Sequence, residues 1–289
     1  MSLGLFLQSL VNAVAIAGMY GVVASGFTLV LGVMKIFNFA HGQFYMVGAF
    51  LTFAVCELFH LPYIVAIIAV FIIMGLLGMF LERFIIRYTY AGFFHQVLAT
   101  IATGMILSQS AVLSLGKTDR FITPVVRGMI NVGGTVLSYE KLFLIFLSLA
   151  LIVGLHYMMK LKVGKAMRAV AEDQETAELQ GINARWIFLL TMGLGCGLAG
   201  VAGAVIIPVL GATVPMGYNI FVRVLIIIII GGMGSMPGAL LAALLVGLIE
   251  SFGYQFVGAL NEVLLLGCLI PLLLLRPGGL LGRPLAIPE

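Results

Sequence analysis

Runs of about 20 apolar residues recur along this chain of 289 residues, and they determine which solvent it folds in. Hydrophobic residues make up 62% of the sequence and charged residues only 9%, far from the composition of a water-soluble domain. A run of this length crosses a bilayer as a helix, and the alternating pattern of a membrane β-barrel is missing from the sequence. The sequence therefore predicts an all-α, polytopic membrane helix bundle.

About eight to ten transmembrane helices are expected, and the apolar runs favour nine of them. The predicted spans cover residues 7–33, 39–59, 62–82, 94–115, 140–159, 186–210, 219–231, 236–257 and 261–276. Two longer polar segments separate them, at 116–139 and at 160–185. We expect residues 1–289 to form one transmembrane domain, with a gate-like or hairpin structure in the first polar segment.

Lys and Arg are unevenly distributed between the two sets of connecting segments. With alternating spans, ten fall on one side and four on the other. The positive-inside rule makes the first side cytoplasmic, so the 160–185 segment and the C-terminus are predicted inside and the 116–139 segment outside. A missed short span or re-entrant segment would invert the predicted orientation of every span that precedes it. The net charge of +4 thus orients the chain and does not indicate a nucleic-acid partner.

Few residues suggest catalysis or metal binding. The sequence lacks HExxH and CxxC motifs, and Cys56, Cys196 and Cys268 lie in apolar runs without paired spacing. The segment AVLSLGKT at 111–118 matches a relaxed phosphate-loop pattern, but it ends an apolar span instead of linking a strand to a helix. We predict no catalytic residue, no metal and no cofactor bound by this chain. Transport across the membrane remains as the expected role.

The segment KIFNFAHGQF, residues 35–44, places polar residues between the first two spans. Lys35 is expected to anchor the cytoplasmic side, Asn38 to cap the second helix, and Gly42 to let that helix start pack closely. We interpret the segment as a capped turn at the cytoplasmic interface. A helix that starts deeper, beside a translocation path, would instead make Asn38, His41 and Gly42 gate elements.

Arg223 is the basic residue that the prediction places inside a span, in NIFVRVLIIIIIGG. Inserting an arginine near the bilayer centre costs about 2.5 to 3.5 kcal/mol, so its guanidinium needs a partner, a water-filled path or the interface. Near the outer end of its span, Arg223 can also extend to the lipid headgroups. Glu250 lies at a similar depth and can pair with it. Both are candidates for the translocation path.

The polar segment at 160–185 contains a predicted surface helix from Lys165 to Gln180, with Gly181 as its C-terminal stop. Met167, Val170 and Ala171 share one face by their spacing. Much of the remaining surface is acidic, which argues against binding to anionic lipid and for a protein partner. A solvated connector is the alternative interpretation.

Three motifs, in this order, resemble the bacterial branched-chain amino acid ABC transporter permeases. The motifs are NFAHGQFYMVGA from residue 38, GKAMRAVAEDQETAELQGIN from residue 164 and GGMGSMPGALLAALLVGLIES from residue 231. The tail RPGGLLGRP, residues 276–284, fits the same family. The family resemblance includes a basic residue at position 223, often lysine, so the arginine here is a modest departure.

The resemblance implies a permease subunit in the bacterial inner membrane, surrounded by membrane lipid and without its own ATPase. Its partners would be a second related permease, two cytoplasmic subunits that bind ATP and Mg, and a periplasmic substrate-binding protein. The substrates would be leucine, isoleucine and valine, or urea and short amides. Contact with the ATPase would involve the following residues of the coupling segment: Gly164, Arg168, Glu172, Asp173 and Gly181. A self-sufficient secondary transporter or channel for a small polar solute is the alternative.

Overall fold

A computed structural model describes residues 3–90, 92–123, 125–126, 128–132, 135–276 and 278–282 as a helix bundle with one small hairpin. In chain order the elements are α1 (Leu3–Met34), α2 (His41–Phe53), α3 (Tyr63–Phe84), α4 (Phe93–Leu115), β1 (Met129–Val132), β2 (Thr135–Ser138), α5 (Tyr139–Lys160), α6 (Lys162–Glu172), α7 (Gln174–Leu179), α8 (Ala184–Leu210), α9 (Met216–Gly231), α10 (Met236–Val257) and α11 (Asn261–Leu275). A π-helical turn, Ala54–Leu58, extends α2, and 3-10 turns follow α3 and α10.

In the part of the chain that the structure describes, nine of these helices coincide with the nine predicted spans, which confirms the all-α membrane bundle. Six of them, α1, α3, α4, α5, α8 and α10, are long and apolar enough to cross a membrane. The helices α2, α9 and α11 are shorter. Arg127 and Arg283, which contribute to the predicted charge asymmetry, lie outside the described residues, as does part of the RPGGLLGRP tail.

The two ends of the bundle carry different structures. We call the end with residues 116–138 the hairpin end, because β1 and β2 pair there as antiparallel strands, with Met129 opposite Ser138. The backbone amide of Thr123 donates to the Glu57 carboxylate at 2.7 Å, which ties this segment to the turn after α2. We call the opposite end, where α6 and α7 lie, the loop end.

Helices α1 and α8 form the centre of the bundle, and small residues let the others approach them. Gly48 of α2 faces Gly200 of α8, where an added Cβ would lie within 2.5 Å of the Gly200 Cα. Gly203 packs in the same way against the backbone of Tyr45. Such contacts suit a membrane, where no hydrophobic effect drives helices together and close van der Waals packing takes its place. The glycines of α8 are therefore packing residues, as their spacing predicts.

The structure corrects the predicted depth of the α2 start. Lys35 adopts φ +56 after the last turn of α1, and the chain then turns back into the bundle. His41 Nε2 lies 3.1 Å from the Val23 carbonyl oxygen, and Val23 precedes the end of α1 at Met34 by about 16 Å of helix. The prediction of a turn at the cytoplasmic interface was therefore wrong, because α2 begins inside the bundle, beside Val23 of α1.

The predicted single helix from Lys165 to Gln180 was also wrong, because α6 ends at Glu172 and α7 begins at Gln174. Asp173 between them has φ −152 and ψ 110, and its carboxylate accepts from the Thr176 amide at 3.1 Å. Aspartate side chains compete with helix hydrogen bonds in this way and favour a new helix start. The predicted stop is present, since Gly181 has φ +84 just after α7.

Candidate functional site

A strip of α1 lies between α5 and α10 and connects two cavities. The cavity at the hairpin end has a volume of about 390 Å³, and the cavity at the loop end has a volume of about 600 Å³. Asn12 and Lys141 lie at one extreme of the strip, and Val33 and Arg168 lie at the other. We call this strip with its two cavities the α1 groove.

The α1 groove is closed between the two cavities by close contacts on the glycines of α1. Gly18 faces Ser148 of α5, and a Cβ added at Gly18 would lie 3.0 Å from the Ser148 Cβ. A Cβ at Gly21 would lie 3.2 Å from Ile152 of α5 and 3.3 Å from Leu240 of α10. Side chains of two different helices therefore meet over α1 at this level. A relative movement of α5 and α10 would open or close the groove here.

An ion cluster lies in the wall of the hairpin-end cavity. Arg223 Nε donates to Glu250 Oε1 at 2.7 Å, and one of its terminal nitrogens donates to Glu262 at 3.2 Å. The Tyr20 hydroxyl donates to the other oxygen of Glu250 at 2.6 Å. The cluster joins α1, α9, α10 and α11. The guanidinium thus has two carboxylate partners, one largely buried and one exposed, which meets the need of an arginine in a membrane span for a partner.

The pairing of Arg223 with Glu250 was foreseen from sequence, whereas Tyr20 and Glu262 were not. Glu262 lies at the start of a predicted span, and nothing in the sequence distinguishes it from an ordinary surface carboxylate. Tyr20 is surrounded by apolar residues, and its position in a long helix could have suggested a buried hydroxyl that needs a partner.

Lys141 is a second cation at the hairpin-end cavity. Its Nζ donates to Asn12 Oδ1 at 2.9 Å, and no carboxylate within the described ranges lies within 4.0 Å of it. Apolar side chains such as Met19, Leu144 and Ile206 line the same cavity. The cavity can therefore hold a small molecule with both charged and apolar parts.

Asn38, His41 and Gly42 hold the start of α2 inside the bundle and line neither cavity of the α1 groove. Asn38 Oδ1 accepts from the Ala40 amide at 3.1 Å, so this side chain does satisfy an amide near the helix start. His41 Nε2 donates to the Val23 carbonyl, since a carbonyl oxygen only accepts. Gly42 packs directly on the backbone of Gly217. A gating role for these three residues stays a prediction.

The residues predicted to contact an ATPase do not form one surface. Glu172, Asp173 and Gly181 are exposed at the loop end. Gly164 is buried, and a side chain there would clash with the backbone of Met159 at the turn from α5 to α6. Arg168 is also exposed, and it lines the loop-end cavity.

The α6 helix connects that exposed surface to the α1 groove. Met167 and Val170 are buried against the bundle, as their spacing predicts, and α6 contacts α1, α5 and α8. On the outer side, the Thr176 amide and hydroxyl donate to Asp173 and hold the pKa of its carboxyl below the ordinary value. The exposed carboxylate is therefore ionised at neutral pH, and a force on this surface would reach α1 through one short helix.

No group of three or more His, Cys, Asp or Glu side chains within the described part of the chain is arranged to hold a metal ion. The site consists of a groove closed at its middle, charged residues at its two ends and an exposed acidic surface attached to its wall. This arrangement has the parts needed to move a small solute.

The family described as branched-chain amino acid transport system, permease component, matches residues 9–274. This chain belongs to that family. The matched region includes both cavities, the ion cluster and the segment from α6 to α7. The match to the permease family therefore covers the whole site.

Individual permeases of the family are similar over nearly their full length. The chain is 31% identical to the high-affinity branched-chain amino acid transport system permease protein BraD of Pseudomonas aeruginosa, over 96% of both chains. It is 28% identical to the permease protein LivH of Escherichia coli, over 96% of both. It is also 30% identical to the permease protein LivM of Escherichia coli, over 53% of this chain and 36% of LivM. No solved structure matches the chain.

Proposed function

We propose that this chain is the permease subunit of an ATP-binding-cassette importer and that leucine, isoleucine and valine, or related small amides, cross the membrane along its α1 groove. The main support for the proposal is the position of α6. This helix packs on α1, forms part of the wall of the loop-end cavity and leads directly to the exposed Glu172 and Asp173. A partner bound at those carboxylates can therefore alter the groove.

The partner at this surface is proposed to be a cytoplasmic subunit that binds ATP and Mg, two copies of which serve the complex. Closure of the ATPase pair would shift α6 and, through α1, the balance between two conformations of the groove. Such a population shift needs no covalent step, so the chain itself is proposed not to be an enzyme. ATP hydrolysis belongs to the partner subunits.

A second, related permease is proposed to complete the groove. The α10 side chains of Leu241, Leu244 and Leu245 are exposed in the single chain, as are Phe146 and Leu149 of α5. Apolar residues on both sides of a groove suit either lipid or another helix bundle. The similarity to LivM, itself named as a permease of a branched-chain amino acid system, supports the second possibility.

The loop end is proposed to face the cytoplasm, with the C-terminus on the same side, in the inner membrane of a bacterium. The excess of Lys and Arg on the segments at this end supports that orientation. A periplasmic binding protein would then deliver substrate at the hairpin end, where the smaller cavity opens.

Reconstitution into proteoliposomes tests the proposal. The chain would be reconstituted alone and together with its second permease, the ATPase subunits and the binding protein, and uptake of radiolabelled leucine would be measured with and without ATP. We expect uptake only in the complete complex with ATP. Uptake by the chain alone, without ATP, would contradict the proposal and favour a self-sufficient transporter or channel.

A further inference from the structure

We propose that the loop-end cavity is a binding station for the transported amino acid before its release. In this station the Arg168 guanidinium binds the carboxylate of the amino acid, the Thr28 hydroxyl accepts from its ammonium group, and apolar residues hold the branched side chain. The inference rests on the proposed function and adds to it a site, a ligand class and two ligand-binding residues.

Thr28 and Ser148 differ from the other buried helical hydroxyls of the described structure, and of these two only Thr28 lines the loop-end cavity. Thr52 donates to the Gly48 carbonyl at 2.8 Å, and Thr191 donates to the Ile187 carbonyl at 2.7 Å, each four residues back along the helix. The Thr28 hydroxyl has no hydrogen-bond partner among the described residues, although the residue is only 2% exposed. A buried hydroxyl without a partner is unfavourable. Because Thr28 lines the loop-end cavity, a ligand bound there can supply the missing hydrogen bond.

Arg168 provides an exposed cation in the same cavity that no carboxylate among the described residues neutralises. No Asp or Glu oxygen among the described residues lies within 4.0 Å of its guanidinium. Arg223, by contrast, is held by both Glu250 and Glu262. A substrate carboxylate therefore meets an unpaired guanidinium at the loop end, and guanidinium groups bind carboxylates strongly through paired hydrogen bonds.

The remaining wall of the cavity suits a branched aliphatic side chain. Leu29, Val33, Ile152 and Leu240 line it, and its volume of about 600 Å³ is in the range of small-molecule sites. Arg168 and Ala171 belong to α6, so a displacement of α6 would move the carboxylate-binding group away from Thr28. Release of the amino acid is thereby linked to the helix that leads to the proposed ATPase surface.

The first test compares threonine variants in the complete reconstituted complex. Thr28→Val keeps the shape of the side chain and removes its hydroxyl, Thr28→Ser keeps the hydroxyl, and Thr52→Val is the matched control at a hydroxyl outside the cavity. We expect Thr28→Val to lower leucine uptake about two- to tenfold, the range for loss of one hydrogen bond. Thr28→Ser should retain more uptake than Thr28→Val, and Thr52→Val should transport at the wild-type rate.

The second test measures occupancy of the cavity directly. Ala171→Cys would be introduced into a chain whose native Cys56, Cys196 and Cys268 are replaced, and its reaction with a hydrophilic thiol reagent would be followed in the assembled complex. We expect leucine to slow the reaction, and leucinamide, which lacks the carboxylate, to slow it much less. Arg168→Gln should abolish the difference between the two ligands.

The outcomes separate this inference from the proposed function. If the wild-type complex fails to take up leucine, isoleucine and valine, the proposed function is refuted. If the wild-type complex transports leucine but Thr28→Val equals Thr52→Val, and leucine and leucinamide protect the cysteine equally, the binding station alone is refuted.

Discussion

Arg223 links α9 to α10 and α11 at the hairpin end, and the structure predicts that its two carboxylate partners contribute very differently to stability. The Glu250 side chain is 12% exposed and bonded at 2.7 Å, whereas Glu262 is 77% exposed and bonded at 3.2 Å. Removing one member of a fully buried pair costs about 3 to 5 kcal/mol, and an exposed pair contributes about 0 to 1 kcal/mol.

The arginine itself is 26% exposed and lines an open cavity, so the value for a fully buried pair must be reduced. We expect a coupling free energy of about 1 to 3 kcal/mol between Arg223 and Glu250, and at most about 1 kcal/mol between Arg223 and Glu262. Arg223→Lys should retain part of the first coupling, because one ammonium group can reach Glu250 but cannot bridge both carboxylates.

Two double-mutant cycles that share Arg223→Met measure these couplings, one with Glu250→Gln and one with Glu262→Gln. The free energy of unfolding in detergent would be followed by circular dichroism. Arg185→Met, at an exposed arginine with no carboxylate partner among the described residues, is the control and should have little effect. A coupling to Glu262 equal to or larger than that to Glu250 would refute the reasoning. Uptake by Arg223→Met at the wild-type rate would limit the residue to a structural role.

Three further predictions concern packing and the coupling surface. Gly48→Ala should destabilise the protein by about 1 to 3 kcal/mol in detergent unfolding, because its Cβ would meet the Gly200 backbone, whereas Gly154→Ala, with open space around it, should be neutral or slightly stabilising. Glu172→Lys should reduce co-purification of the ATPase subunits severalfold without changing the yield of folded chain; unchanged co-purification and uptake would contradict the docking surface. The amide protection of α7 measured by hydrogen exchange should fall in acid, since the Asp173 cap is lost as pH decreases through its lowered pKa. Asp173→Asn should remove this pH dependence, and an unchanged profile would contradict the cap.

Much of the helical layout follows from the sequence because apolar runs and membrane thickness fix where helices form. The close packing of α8 also follows, since its glycines have no other evident use in an apolar helix. The depth of α2 does not follow, because hydropathy gives the polarity of Asn38 and His41 but not the residues that surround them. In the folded chain, Asn38 lies 3.7 Å from Met192 and His41 contacts Val23, partners far away in sequence.

The break at Asp173 and the α1 groove were missed for related reasons. Summed helix propensity favours a continuous helix from Lys165 to Gln180, and the side-chain cap on Thr176 outweighs it locally. The closure of the groove depends on Gly18 meeting Ser148, two residues in different helices that no short motif relates. Arg168 lies within a recognisable motif, but its position in a cavity depends on how α6 packs against α1.

The central claim is that the α1 groove is the route of the substrate, and water access during transport tests it most directly. Ile152→Cys and Leu240→Cys place thiols where the loop-end cavity meets the closed middle of the groove, and Leu98→Cys and Ile106→Cys place them on the exposed apolar face of α4. Each would be made in a chain without native cysteines and exposed to a hydrophilic thiol reagent in the complete complex with ATP. The account predicts that the two groove positions react during transport and that the two α4 positions do not. Unreactive groove positions in a complex that actively transports leucine would contradict it.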